Sequence, residues 1–313
     1  MAKYKVPTIQ EMLDAGVHFG HQVRRWHPKM EPYIYIAAKD IHIIDLEQSE
    51  KMLGKACEFL FEAAKEGKKV VFVGTKKQSR DIIELEAKRC GAMYVKERWV
   101  GGTITNFPFI KKNLDKLIKY MKDREEGNFV KYTKKERLLI DRSIDKMNSS
   151  YGGIISMRAT PDVLFVIDPK REKTAIREAK NSHIPVVAIV DTNADPTTVN
   201  YPIPGNDDAI KSIALLVKAV ADAIEEGYKE FGKIKEAALA AKEPAKVVEK
   251  IAAAPAVITG TESPVVTEVV NKKDEKILEE VAVKDAVVAA DKVAPAKTET
   301  ADKKKPAAKA KKA

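Results

Sequence analysis

The sequence predicts an α/β fold: a parallel sheet covered by helices on both faces, interrupted by a helical excursion and followed by a tail. Three observations predict it. Continuous apolar runs such as Val70-Val71-Phe72-Val73 alternate with amphipathic stretches of helical period, the pattern of strands buried on both sides. Within 106–149, two long charged stretches of helical period break that alternation before it resumes near Asp162. Beyond Phe231 there is neither an aromatic residue nor an arginine, and Ala, Lys, Val, Glu, Pro and Thr dominate. Such a segment buries too little apolar area to offset chain entropy. Residues 231–313 are therefore expected to be a disordered tail, and 1–230 an α/β body with one substantial core.

Taken in order, Thr8-Ile9-Gln10-Glu11 has the form of a capping box, and Gly16 closes its helix. The run from Val17 through His18-Phe19-Gly20-His21 and Arg24-Arg25-Trp26-His27 to Met30 has no clean period and reads as a structured loop. Residues 33–36 and 41–44 are β-branched or aromatic and suggest a hairpin. Met52, Leu53, Ala56 and Leu60 share one face of a helix over 47–66, which Gly67 ends. After the strand at 70–73, Thr75 and Gln78 are spaced as a second capping box for a helix to about 89. A short strand over 92–95 leads into Arg98-Trp99-Val100-Gly101-Gly102-Thr103-Ile104-Thr105-Asn106. This strand-to-helix loop lies where open α/β sheets put their functional surface.

In the excursion, Asn106 is the expected N-cap of a helix whose stripe is Ile110, Leu114, Leu117, Ile118 and Met121. Thr133 and Glu136 cap a second, with Leu138, Leu139, Ile140, Ile144 and Met147. Stripe against stripe, the two predict an antiparallel helical hairpin over 106–149. The body resumes with a strand at 163–167, a helix at 172–181, a strand at 186–190, an extended piece at 201–208 and a helix at 209–228.

Net charge is +10, and the 17 lysines and 13 acids from Phe231 onward account for four of those charges. A basic body with a basic tail favours polyanion partners, nucleic acid above all. Cys57 and Cys90 sit in helical patterns and suit a reducing compartment, and no zinc-site spacing occurs. No signal-like stretch or long apolar span is present, so a cytoplasmic protein without a membrane partner is expected.

Gly74-Thr75-Lys76-Lys77 follows a strand and opens a helix, as a phosphate loop would, but it lacks both the GxxxxGK[ST] and GxGxxG spacings. An ordinary capped helix is preferred, with Lys76, Lys77 and Arg80 still able to meet an RNA phosphate. His18, His21 and His27 suit stacking and phosphate contact better than metal binding. His18 with Asp191 or Asp208 is the weak metal alternative. Asp191, Asp195, Asp207 and Asp208 read as turn and helix-start residues rather than magnesium ligands. No nucleophile elbow or triad order is present, so no catalytic residue and no cofactor are expected. Lys303-Lys304-Lys305 and Lys311-Lys312 form either a basic arm or a solubilising tail.

His18-Phe19-Gly20-His21 with Arg25-Trp26-His27-Pro28-Lys29-Met30, Phe72-Val73-Gly74-Thr75-Lys76, the Arg98 to Asn106 run, Pro161-Asp162 and Pro204-Gly205-Asn206-Asp207-Asp208-Ala209 occur in that order. Together they resemble the bacterial small-subunit ribosomal protein two family over about residues 5–228. The resemblance implies a flavodoxin-like parallel sheet of about five strands with an inserted antiparallel helical coiled-coil hairpin. It also implies a structural, non-enzymatic role: binding small-subunit rRNA at the junction of head and body and helping to hold the mRNA-binding ribosomal protein one. On that footing the phosphate contacts fall to Arg24, Arg25, Lys29, Lys76, Lys77, Arg98, Lys111, Lys112 and Arg158. His18, His21, Trp26 and Trp99 would pack against folded RNA or shape the adjoining loops. The alternative is a nucleotide-dependent enzyme of the doubly wound class using the Gly74 loop and Asp191. The long tail departs from the family's shorter form.

Overall fold

The computed structural model describes residues 4–252, and the side chains of residues 4–235. Helix α1 (Ile9–Ala15) begins with the expected Thr8–Glu11 capping box and ends on left-handed Gly16. Strands β1 (Phe19–Gln22), β2 (Ile34–Ala38) and β3 (Ile41–Ile44) form an antiparallel sheet in the order β1-β3-β2. The hairpin was legible, whereas β1 was expected to be loop. Its pairing is short and irregular, holding only Phe19 opposite Ile43 and Gln22 opposite Ile41. Four residues with one glycine and two polar side chains give no strand period to detect.

Helix α2 (Leu46–Lys65) is capped by Asp45, whose carboxylate accepts from the Glu47 N–H. Then come β4 (Val70–Val73), α3 (Arg80–Cys90), β5 (Met93–Val95), α4 (Phe107–Glu125), α5 (Lys134–Tyr151), β6 (Val163–Ile167), α6 (Lys173–Asn181), β7 (Val186–Val190), β8 (Tyr201–Pro204) and α7 (Ile210–Ala252). The main sheet is wholly parallel, ordered β5-β4-β6-β7-β8. Counted along the chain, its strands follow the flavodoxin-like order, with the topological switch between β4 and β6. Pro202 and Pro204 sit in β8, an edge strand, where a missing N–H is tolerated.

Alternation along the strands divides the core. Val70, Phe72, Phe165 and Ile189 face a layer with α1, α2, α3 and α7. Val71, Val73, Leu164, Val166 and Val190 face a second layer with α6, the start of α4 and the loop after β5. Both layers are fully apolar, which is why the strands read as unbroken hydrophobic runs. Cys57 and Cys90 are buried free thiols.

Three expectations need correction. The helix after β4 starts at Arg80 rather than at Thr75, and Ser79 is its N-cap residue. The Thr75 hydroxyl instead donates to the Glu172 carboxylate, a partner 97 positions away. The second excursion stripe buries only Ile144, while Leu138 and Leu139 stay about half exposed. The final helix runs past residue 228 to Ala252, so residues 231–252, assigned to the tail, are helical. Ala, Lys and Glu form helix well even where apolar residues are few. Residues 253–313, the rest of that tail, lie outside the described residues.

Candidate nucleic-acid interface

The surface at the carboxyl ends of the parallel strands is built from the five loops that follow them. The loop after β5 is held from beneath by Glu178 of α6, which is buried. One oxygen of its carboxylate accepts from the Gly102 N–H at 2.8 Å and the Trp99 indole N–H at 3.3 Å. The other accepts from the Ile104 N–H at 3.1 Å and from the Thr105 N–H and hydroxyl, both at 3.4 Å. One carboxylate thus supplies the acceptor for a run of loop amides that has no strand partner. Gly102 takes φ +88°, a left-handed conformation that suits glycine. Trp99 is buried in the second core layer, so its aromatic face is packing and not a stacking platform. Arg98 beside it is exposed.

At the switch point, Thr75, Arg98, Arg171 and Glu172 line a crevice of about 590 Å³. Arg171 Nε donates to the Thr75 hydroxyl at 2.9 Å, and burial pushes the Glu172 carboxyl up. Gly74 is needed for close packing, since a Cβ there would lie 2.1 Å from Ile83 Cδ1. Lys76 does not project toward a ligand. Its Nζ lies 2.7 Å from Asp207 Oδ1 and 2.5 Å from Asp208 Oδ1. Asp207 is fully buried, and desolvation together with Asp191 pushes its carboxyl up to about 7. The nucleotide-enzyme alternative finds no support here: Lys76, the lysine that loop would aim at a nucleotide, is bound to these acids.

The His18 to Met30 segment docks on the loop after β7. The His21 N–H donates to Thr192 Oγ1 at 2.9 Å, and the His27 N–H donates to the Thr192 carbonyl at 2.8 Å. His21 Nδ1 lies 3.0 Å from Asp191 Oδ2, and that hydrogen bond raises the imidazole pKa. Its Nε2 lies 3.4 Å from Asp208. His21, Asp191 and Asp207 present ligand atoms within 4.8 Å of one another, a spacing that could hold a cation. His18, the weak metal candidate, is not in that cluster; it packs on Phe19 with ring centroids 4.0 Å apart, and burial lowers its pKa. Asp207 and Asp208 do not cap the last helix by side chain either. Asn206 Oδ1 instead closes the turn ahead of that helix, accepting from the Asp208 and Ala209 N–H groups at 2.8 and 3.1 Å.

The predicted contact residues therefore separate. Arg24, Arg25, Lys77, Arg98, Lys111, Lys112 and Arg158 are exposed. Lys29 is exposed but engaged by Asp195 at 2.7 Å and Thr197 at 2.9 Å. Trp26 is 36% exposed, with its ring 5.4 Å from that of His42. His21, Lys76 and Trp99 are structural. Sequence reasoning missed Glu178, Glu172 and Asn206, whose partners are distant in the chain or main-chain groups.

Residues 12–227 match the family model described as Ribosomal protein S2. A protein of Dictyoglomus thermophilum called Small ribosomal subunit protein uS2 is 50% identical over 219 residues, covering 70% of this chain and 89% of its own length. The Small ribosomal subunit protein uS2c of Cyanophora paradoxa is 49% identical over 222 residues, 71% of this chain and 95% of its own. A uS2 protein of Petrotoga mobilis is 49% identical over 222 residues, 71% and 77% of the two lengths.

Proposed function

The chain belongs to the ribosomal protein S2 family, and from that premise we propose that it binds small-subunit rRNA at the head–body junction as a structural, non-enzymatic component of the small ribosomal subunit. It resides with that subunit in the cytoplasm and serves translation. The observation that carries this reading is half-identity to small-subunit proteins maintained over 219 residues. Among the described residues no helix is long and apolar enough to cross a membrane.

Arg24, Arg25, Lys77, Arg98, Lys111, Lys112 and Arg158 hold RNA phosphates; what supports this is their exposure on loops and on the outer side of α4. Each contact releases condensed counterions, so about seven contacts make affinity fall by about 10³-fold between 50 and 200 mM salt. His21, Lys76 and Trp99 set the loop shapes that present these cations. Helices α4 and α5, with Arg124 lying 3.6 Å from Asp141 and 3.8 Å from Asp145, act as a rigid antiparallel hairpin that bridges RNA helices by shape and charge. The subunit face built around this chain also helps to hold the mRNA-binding ribosomal protein one.

Sedimentation of cell extract tests the reading: the chain should travel with the small subunit. Replacing Arg24, Arg25 and Arg98 together with Ala should lower its occupancy there. A chain that stays at the top of the gradient, or a triple variant with unchanged occupancy, overturns it.

A further inference from the structure

A second basic surface lies apart from the strand-end crevice. Helix α6 and the loops carrying Trp26 and Ala194 enclose a cavity of about 450 Å³. Part of its lining is apolar: Trp26, Pro169, Ile176 and Ala194. Around these stand Arg25, Lys170, Lys173, Arg177 and Lys180, all exposed. Lys173, Arg177 and Lys180 recur at the spacing of a single helix face. Among the described residues none of these five cations has a carboxylate partner. The one acid in the lining, Asp195, is already neutralised by Lys29 at 2.7 Å. Trp26 is held in position from behind by His42 and through the neighbouring His27 N–H on the Thr192 carbonyl.

We propose that this cavity receives one unstacked nucleotide of single-stranded RNA, its base against the Trp26 indole and its flanking phosphates on the α6 cations. The proposal rests on the reading of the chain as an rRNA-binding protein and names a subsite for it. An RNA duplex keeps its bases stacked, offers mainly phosphates and 2′-hydroxyls and has no use for an apolar wall, whereas a splayed-out base does. A cavity that combines an aromatic ring with a row of cations is the arrangement by which proteins take single strands. Its volume lies in the range of sites that enclose a small ligand.

The test uses the full chain, a 12-nucleotide RNA single strand and the blunt duplex of the same length, with indole fluorescence as readout. Trp99 is buried and the tail has no aromatic residue, so quenching reports on Trp26. The single strand should quench the signal and bind more tightly than the duplex. Lys173→Glu with Arg177→Glu should weaken single-strand binding roughly tenfold or more, and Trp26→Leu, which removes the reporter and is followed instead by the anisotropy of an end-labelled strand, should weaken it roughly tenfold. Equal binding of duplex, unchanged binding by the double variant, or equal displacement by polyglutamate of matched charge overturns the proposal. Sedimentation with small subunits separates the two failures. A chain that sediments with them yet shows no quenching loses this cavity and keeps the ribosomal reading; a chain that does neither loses both.

Discussion

Two basic regions of this molecule behave in opposite ways. At the ends of β4 and β8, cations are neutralised from within: Lys76 lies between Asp207 and Asp208, and Arg80 lies 2.7 Å from Glu97. Along α6, the cations around the Trp26 cavity have no carboxylate partner among the described residues. The first region spends its charge on holding loops in register. The second leaves its charge for a partner. A count of lysines and arginines does not separate these roles; the carboxylates that pair with them do.

The sharpest way to break the comparison is at Glu178 of α6, which holds the loop after β5 beside the first region. Glu178→Ala strands the Trp99, Gly102, Ile104 and Thr105 donors in a buried setting, and should cost about 4 kcal/mol in urea unfolding. A loss under about 1 kcal/mol would mean the loop is held some other way. Next comes Lys76→Met, which leaves Asp207 buried beside Asp191 without its cation. Removing one partner of such a pair should cost about 3 kcal/mol, and adding Asp207→Asn should recover much of it. Failure of the second change to rescue the first would deny that the pair acts as a unit.

Among the described residues Lys77 and Arg98, exposed in the loops after β4 and β5, have no acid partner, and for them the expected pattern reverses. Lys77→Ala and Arg98→Ala should leave stability within about 0.5 kcal/mol, yet each should reduce the salt slope of RNA binding by about one unit. Thiol chemistry checks the core layer on the other face of the sheet from α6. Burial pushes Cys57 up to about 12 and Cys90 up to about 11, so neither should react with Ellman's reagent at pH 8 until the chain unfolds. The smallest effect belongs to Lys29 and Asp195, on the rim between the regions. The Asp195 carboxyl is depressed to about 2, with burial opposing and the Lys29 and Thr197 hydrogen bonds prevailing. Because the folded value lies below the unfolded one, this stabilisation is complete above about pH 4 and is lost as pH falls toward 2. Lys29→Met should flatten that acid limb by under about 1 kcal/mol, the pair being exposed.

Much of the body could be anticipated because its signals are local. The strands of the parallel sheet are buried on both faces, so Val70 to Val73 had to read as an apolar run. The capping boxes Thr8–Glu11 and Thr133–Glu136 each join positions three apart and are present as expected. The candidate site was only partly legible, because its decisive bonds join distant positions. Lys76 meets Asp207 across 131 residues, and Trp99 meets Glu178 across 79. In each case the sequence displays a cation or an aromatic ring and conceals the acid that takes it out of solvent. The capping-box pattern at Thr75 misled for the same reason: Glu172 claims its hydroxyl. Leu138 and Leu139 show the converse, a helical stripe whose partner surface the first excursion helix does not supply along its whole length.

Helix α6 is only nine residues long, yet it bears Glu178 on its buried side and Lys173, Arg177 and Lys180 on its outer side. So short and stiff a rod transmits displacement without bending. Its outer row of cations and the Arg98 loop therefore share one support, joined through the Glu178 carboxylate.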